Sequence, residues 1–188
     1  MPTKVILLGS SGVGKTSLIQ VKVNGQIGDS LATIQPQEIH YTQQIEGCQV
    51  DISVWDTPGQ YTFRNMVKNF LRDATGIILT YDVSNRESFD ELEEWFHFVN
   101  ETINPRFIIL VANKCDLERV VDVQTENEWA NQHQILKTIQ TSAITKEGVS
   151  LLFDIIAQKA YEFQDKNKGE KQINIDSGNT GKKKKCCH

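Results

Sequence analysis

The chain has 188 residues, of which 39% are hydrophobic and 23% are charged, and its formal net charge is −4. This length supports one domain with a substantial core, and an acidic chain of this kind is a poor partner for nucleic acid. No uninterrupted apolar run approaches the length needed to cross a bilayer, and the first residues do not resemble a signal peptide, so we expect the folded part in the cytosol.

The first predicted strand, Val5 to Leu8, leads directly into a glycine-rich loop. Residues 9–16 read GSSGVGKT, in which two glycines bracket four residues before a lysine and a hydroxyl. This is a phosphate-binding pattern, and the helix predicted from Lys15 to Val23 follows it in the required order. Backbone N–H groups and the positive end of a helix dipole would meet there and favour a polyphosphate. An ordinary glycine-rich turn is the alternative.

Within this loop the residue types predict separate roles for neighbouring positions. Glycine permits positive φ and a close approach to phosphate oxygens. Lys15 is predicted to lie along the β and γ phosphates, and the Thr16 hydroxyl is predicted to ligate a magnesium ion. We expect the phosphates to contact one continuous stretch of residues: Ser11, Gly12, Val13, Gly14, Lys15, Thr16 and Ser17.

The rest of the chain alternates predicted strands and helices. A surface loop over residues 26–37 precedes an antiparallel hairpin, and the later elements follow one another in turn. The predicted strands cover residues 38–46, 49–55, 77–81, 106–112 and 137–141. The predicted helices cover residues 63–71, 84–98 with Ser84 as the cap, 125–134 and 147–163. This order predicts an α/β fold with a six-stranded, mostly parallel sheet, one antiparallel edge strand and helices on both faces.

A short polar segment, DTPGQ at residues 56–60, follows the second hairpin strand. Asp56 would end a strand beside the phosphate loop and could hold the magnesium ion, while the Gly59 N–H approaches the γ-phosphate. The Gln60 amide could orient a water molecule in line with the γ-phosphorus. Taken alone the segment is a plain strand-to-turn ending, but its position after a phosphate loop favours the catalytic interpretation.

The choice of base is predicted from NKCD at residues 113–116, which ends a strand. A carboxylate presents two acceptors that match the N1–H and the exocyclic amine of guanine, and adenine lacks that amine. Asp116 is therefore expected to select guanine, which disfavours a phosphate-loop kinase or ATPase. Asn113 would brace the loop, and the stem of Lys114 would cover the base and the sugar. An exposed polar turn is the alternative.

Together these motifs resemble the Ras superfamily of small GTPases, and its Rab branch most of all, over nearly the whole chain. Further matching segments are VWDT at residues 54–57, YDVSNRESF at 81–89 and TSA at 141–143. The resemblance implies a P-loop small G domain over residues 1–164. It also implies that the chain hydrolyses GTP to GDP and phosphate with Mg²⁺, and acts as a molecular switch in vesicle trafficking.

The resemblance assigns further residues to the site. Thr33 would lie in the first switch loop and complete the magnesium shell only when the γ-phosphate is present, and residues 59–66 would form the second switch. Backbone N–H groups of Ser142 and Ala143 would contact the guanine O6. The implied magnesium ligands are Thr16, Thr33 and Asp56. The implied catalytic residues are Gln60, Lys15 and Thr33.

The tail, residues 165–188, is polar and lysine-rich, and we expect it to be disordered. From Lys166 onward it carries a charge of +5 against −9 for the preceding residues. Its adjacent Cys186 and Cys187 resemble the doubly geranylgeranylated Rab ending. Two lipid chains beside four lysines would hold the protein on the cytosolic face of an intracellular membrane, cycling with the cytosol. A disordered tail with incidental cysteines is the alternative.

The resemblance also implies a set of partners. An exchange factor, a GTPase-activating protein and effectors would bind through the two switch loops, and Rab-type prenylation and membrane-extraction chaperones would handle the tail. The protein would be a monomer.

Several positions depart from the family pattern. Pro58 stands where alanine is usual, which fixes φ and removes an N–H beside Gln60, and Tyr61 stands where glutamate is usual. No aromatic residue lies near Ile27 to pack on guanine, and Ile144 replaces a lysine. These changes predict slow intrinsic hydrolysis that needs a partner protein. The competing hypothesis is a GTP-binding recruitment module that does not hydrolyse.

Overall fold

The computed structural model describes residues 2–28 and 32–173. Its strands are β1 (Thr3–Leu8), β2 (Gln37–Ile45), β3 (Cys48–Asp56), β4 (Gly76–Asp82), β5 (Phe107–Asn113) and β6 (Lys137–Gln140). Its α-helices are α1 (Lys15–Asn24), α2 (Arg64–Leu71), α3 (Arg86–Asp90), α4 (Leu92–Thr102), α5 (Val123–Gln132) and α6 (Val149–Ile173). One 3-10 turn, Tyr61–Phe63, precedes α2. The side chain of Tyr61, the segment 174–188 and with it Cys186 and Cys187 lie outside the described residues.

The six strands form one sheet in the order β2-β3-β1-β4-β5-β6. Only β2 and β3 pair antiparallel, and the other neighbours pair parallel. Successive side chains of a strand point to opposite faces. Val5 and Leu7 therefore pack into one core cluster with residues of α1 and α6, while Ile6 and Leu8 pack into a second with residues of α2, α3 and α4. The predicted fold class is confirmed.

Two element predictions need correction. The helix predicted over residues 84–98 is divided into α3 and α4 at Glu91, although helical hydrogen bonds continue across the junction. Its cap is Asn85, whose side chain accepts from the Ser88 N–H, because the Ser84 hydroxyl donates instead to the Asp82 carboxylate. At the other end of the chain, α6 continues to Ile173, into the segment predicted to be disordered.

This topology determines where the predicted motifs meet. Parallel strands carry their following loops at one edge of the sheet, and β1 lies between β3 and β4 at its centre. The glycine-rich loop follows β1, Asp56 ends β3, and Asn113 ends β5. Ligands bind to open α/β sheets in the crevice outside these strand ends.

Candidate active site

The loops that follow β1, α1 and β3 line a cavity of about 420 Å³, to which the loop after β5 contributes Lys114. Its lining includes most of the residues that the sequence predicts to bind nucleotide: Ser11, Gly12, Gly14, Lys15, Thr16, Ser17, Thr33, Gly59 and Lys114. Ala32 and Thr57 also line it and were not predicted. Thr57 lies inside the DTPGQ segment, and its hydroxyl donates to the Leu7 carbonyl at 2.6 Å, which ties β3 to β1.

Two glycines allow the loops around this cavity to come close together. Gly14 caps α1 at φ 97°, and a Cβ atom there would lie 2.4 Å from the Asn113 side-chain nitrogen. A Cβ atom on Gly59 would lie 2.3 Å from the carbonyl carbon of Ser10. Any larger residue at these positions would push the phosphate loop away from the end of β5 or from the segment that contains Gly59.

The ammonium group of Lys15 lies beneath the backbone of the phosphate loop. Its Nζ donates to the carbonyl oxygens of Gly9 at 2.7 Å and of Ser10 at 2.8 Å. Burial lowers the pKa of Lys15 to about 8, and the charge of Asp56 offsets part of that effect. A phosphate oxyanion in the cavity would favour the charged ammonium, because an opposite charge nearby stabilises the protonated form.

The three predicted magnesium ligands converge from three different elements. Thr16 donates to Asp56 Oδ2 at 2.6 Å, Thr33 Oγ1 lies 3.1 Å from the same oxygen, and the two hydroxyls are 2.8 Å apart. Asp56 is only 2% exposed, and burial raises its pKa although Thr16 and Lys15 oppose the shift. Asp56 Oδ1 is buried and has no hydrogen-bond partner among the described residues. A hard cation with oxygen ligands fits this arrangement.

The loop after β5 is joined to the phosphate loop. Asn113 donates to the Val13 carbonyl at 2.7 Å and accepts from the Thr141 hydroxyl at 2.8 Å, so it braces the loop across the sheet. Asp116 follows in an exposed position.

One predicted contact to the base needs revision. The Ser142 N–H donates to the Glu147 carbonyl at 3.0 Å and is therefore engaged within the protein. Of the two N–H groups predicted to contact guanine O6, that of Ala143 stays a prediction.

We call the cavity of about 420 Å³ the phosphate cavity. Gln60 does not line it but lines a second cleft. This cleft has a volume of about 770 Å³ and shares Ser11 and Gly59 with the first cavity. Its remaining lining comes from Ser10 and from the region of α3 and α4, including Glu87, Glu91 and Glu94. The Glu91 carboxylate accepts from the Ser10 hydroxyl. Sequence reasoning missed this contact, because no motif links a helix carboxylate to a loop residue that lies 81 positions earlier.

Comparison with known proteins decides the family. The Ras family model matches residues 4–162. Ras-related protein SEC4 of Saccharomyces cerevisiae is 34% identical over 98% of this chain and 90% of its own length. Ras-related protein Rab-18 of Caenorhabditis elegans is 36% identical over 86% of this chain and 81% of its own length. Ras-related protein Rab-5A of Dictyostelium discoideum is 32% identical over 98% of this chain and 95% of its own length. The chain belongs to the Rab family of Ras-superfamily GTPases.

As a Rab-family GTPase, the protein binds GTP and GDP, hydrolyses GTP, and acts as a molecular switch in vesicle trafficking with regulators and effectors. Members of the family are associated with intracellular membranes. Among residues 2–28 and 32–173, no helix combines the length and the apolar character needed to span a bilayer.

Proposed function

We propose that this chain is a magnesium-dependent GTP/GDP switch whose intrinsic hydrolysis is slow until a partner protein assists. The observation that carries the proposal is the convergence of Thr16, Thr33 and Asp56 beneath the phosphate loop, with one buried carboxylate oxygen left without a partner among the described residues. Three oxygen ligands beside a buried lysine suit a metal–triphosphate complex better than any neutral ligand.

Each part of the site has its own task in this proposal. When bound, Mg²⁺ supplies positive charge that offsets the phosphate charge. Lys15 neutralises phosphate oxygens, and backbone N–H groups of residues 11–16 bind them. Asp116 selects guanine, and the stem of Lys114 covers it.

Switching follows from what the γ-phosphate holds in place. The Thr33 hydroxyl and the Gly59 N–H belong to two different loops, and both would be drawn toward the terminal phosphate and its metal. Hydrolysis would remove that attraction, so both loops would relax. A partner that recognises the ordered loops would therefore bind only the GTP form.

Slow hydrolysis is supported by the position of Gln60. This residue lines the neighbouring cleft and is not among the residues that line the phosphate cavity. The rigid Pro58 lies two residues before it and restricts how the loop can bring the Gln60 amide to a water molecule at the γ-phosphorus. The same observation favours the second candidate function, a recruitment module that binds GTP without hydrolysing it.

Single-turnover hydrolysis of preloaded radiolabelled GTP separates the two candidates. We expect slow release of phosphate by the purified protein and slower release by Gln60→Leu. Equal background rates for both proteins would support the recruitment module. Rapid unassisted cleavage would contradict the proposed slow switch.

Membrane attachment through the tail is part of the same proposal. Lipidation of Cys186 and Cys187 beside four lysines would give durable binding to an anionic membrane, with handling by prenylation and membrane-extraction chaperones. The protein is proposed to cycle between membrane and cytosol as a monomer. Replacing both cysteines with serine should release it from the membrane fraction of cells, and unchanged membrane association would contradict the anchor.

A further inference from the structure

A buried carboxylate with no role predicted from the sequence contacts the loop that follows β5. Asp82 ends β4, is 7% exposed, and its Oδ2 lies 2.7 Å from Lys114 Nζ. Its other oxygen, Oδ1, accepts from the Ser84 N–H at 2.9 Å and from the Ser84 hydroxyl at 2.7 Å. Ser84 therefore orients the carboxylate, and the oxygen that remains is directed at the lysine.

Lys114 is held at both ends of its side chain. Its backbone has φ 61°, a conformation uncommon for residues other than glycine, and its carbonyl accepts from the Leu117 N–H at 2.9 Å. Asp82 pairs with Asn113 in the register of β4 and β5, so the lysine reaches back to the end of the neighbouring strand. Between these two fixed ends, Lys114 contributes to the wall of the phosphate cavity.

We propose that Asp82 is a positioning residue for nucleotide retention, because it holds the stem of Lys114 against the purine and the ribose. This inference rests on the proposed role of Lys114 in covering the base. Asp82 need not touch the nucleotide. A free lysine stem would lose rotamer freedom each time a nucleotide bound, whereas an anchored stem has lost it already. Removing the anchor should therefore speed nucleotide release and leave cleavage of the bound triphosphate unchanged.

The experiment measures the release of radiolabelled GDP from the full-length chain, with excess unlabelled GDP and Mg²⁺. Asp82→Asn and Lys114→Met should each speed release by about 3- to 10-fold, the range expected for one rotamer-rich side chain. The double variant should release GDP no faster than Lys114→Met alone, because both changes remove the same contact. The matched control is Asp90→Asn, since Asp90 is an exposed carboxylate paired with Arg86 at 2.8 Å, and it should release GDP like the wild type.

A second measurement distinguishes the loss of this positioning contact from a disruption of the whole nucleotide site. The single-turnover rate of hydrolysis of bound GTP should be the same in Asp82→Asn as in the wild type. A fall in this hydrolysis rate as large as the rise in the release rate would overturn the proposal. GDP release at the wild-type rate in Asp82→Asn would also overturn the proposal. The same holds if the double variant releases GDP faster than Lys114→Met by the factor seen for Asp82→Asn alone. If Asp82→Asn does not fold, Lys114→Met alone serves instead, since it removes the same ion pair from its other side. Release at the wild-type rate in that variant would then overturn the proposal.

The inference and the proposed function can fail separately. A wild-type chain that retains no GDP would overturn both. A chain that retains GDP equally well with and without the Asp82 carboxylate would overturn only the inference.

Discussion

The two neighbouring cavities that share Ser11 and Gly59 differ in how firmly their side chains are held. Lys15 lines the phosphate cavity and is buried against the backbone of the phosphate loop, and Asp56 beside the cavity is buried and accepts from the Thr16 hydroxyl. In the second cleft, Gln60 is exposed and lies near several carboxylates. The side chains proposed to serve the phosphates are thus fixed by the folded core, whereas the residue expected to assist hydrolysis lines a different cleft. The contrast suggests that affinity and turnover can be changed independently.

The largest expected effect is in the phosphate cavity, at Lys15. Lys15→Ala should weaken GDP binding by about 100-fold or more, because charge-assisted hydrogen bonds to phosphate oxygens are among the strongest in proteins. Isothermal titration calorimetry measures the change. Lys159→Ala is the control, since Lys159 pairs with Glu162 at 2.9 Å on α6. Wild-type affinity in Lys15→Ala would place the phosphates elsewhere.

The next effect concerns the metal. Asp56→Asn should weaken GTP binding by about 30-fold in the presence of Mg²⁺ and leave it unchanged in EDTA, because the carboxylate charge serves the cation. Asp51→Asn, an exposed position on the same strand, should behave like the wild type under both conditions. An equal loss with and without Mg²⁺ would show that Asp56 acts only through its hydrogen bonds to the protein.

A smaller effect is expected where the loops are braced. Asn113→Ala removes the donor to Val13 and the acceptor for Thr141, and should lower the free energy of unfolding of the nucleotide-free protein by about 1.5 kcal/mol. Urea titration followed by circular dichroism measures the change. Asn100→Ala, an exposed position on α4, should change it little. If both variants unfold alike, the brace contributes nothing to stability.

The smallest expected effect is on the rate of hydrolysis and concerns Pro58, which precedes Gln60 of the second cleft. Pro58→Ala restores an N–H and backbone freedom beside Gln60, so intrinsic single-turnover hydrolysis should rise by about threefold while GDP affinity is retained. A rate that stays at or below that of the wild type would show that Pro58 is not the cause of slow turnover.

The sequence was most informative where a motif lies on a regular element. Apolar strands and glycine positions were enough to predict the sheet and to bring Thr16 and Asp56 to the same edge. The brace at Asn113 was also predicted, because it belongs to a recognisable motif. In each case the local pattern and the strand order point to the same arrangement.

Contacts between distant segments could not be predicted where no known pattern links one residue to the other. The link between Ser10 and Glu91, and the ion pair between Asp82 and Lys114, depend on how helices and loops pack around the finished sheet. The direction of Gln60 depends on the path of an irregular loop, and periodicity does not determine that path. The extension of α6 to Ile173 was missed because composition alone favoured disorder in that segment.

The most direct test of the central claim identifies and counts the nucleotide that copurifies with the protein. Mass spectrometry of freshly purified material should find about one guanine nucleotide per chain in the wild type and almost none in Lys15→Ala. An adenine nucleotide, or a wild-type chain that carries and binds no guanine nucleotide, would contradict the account.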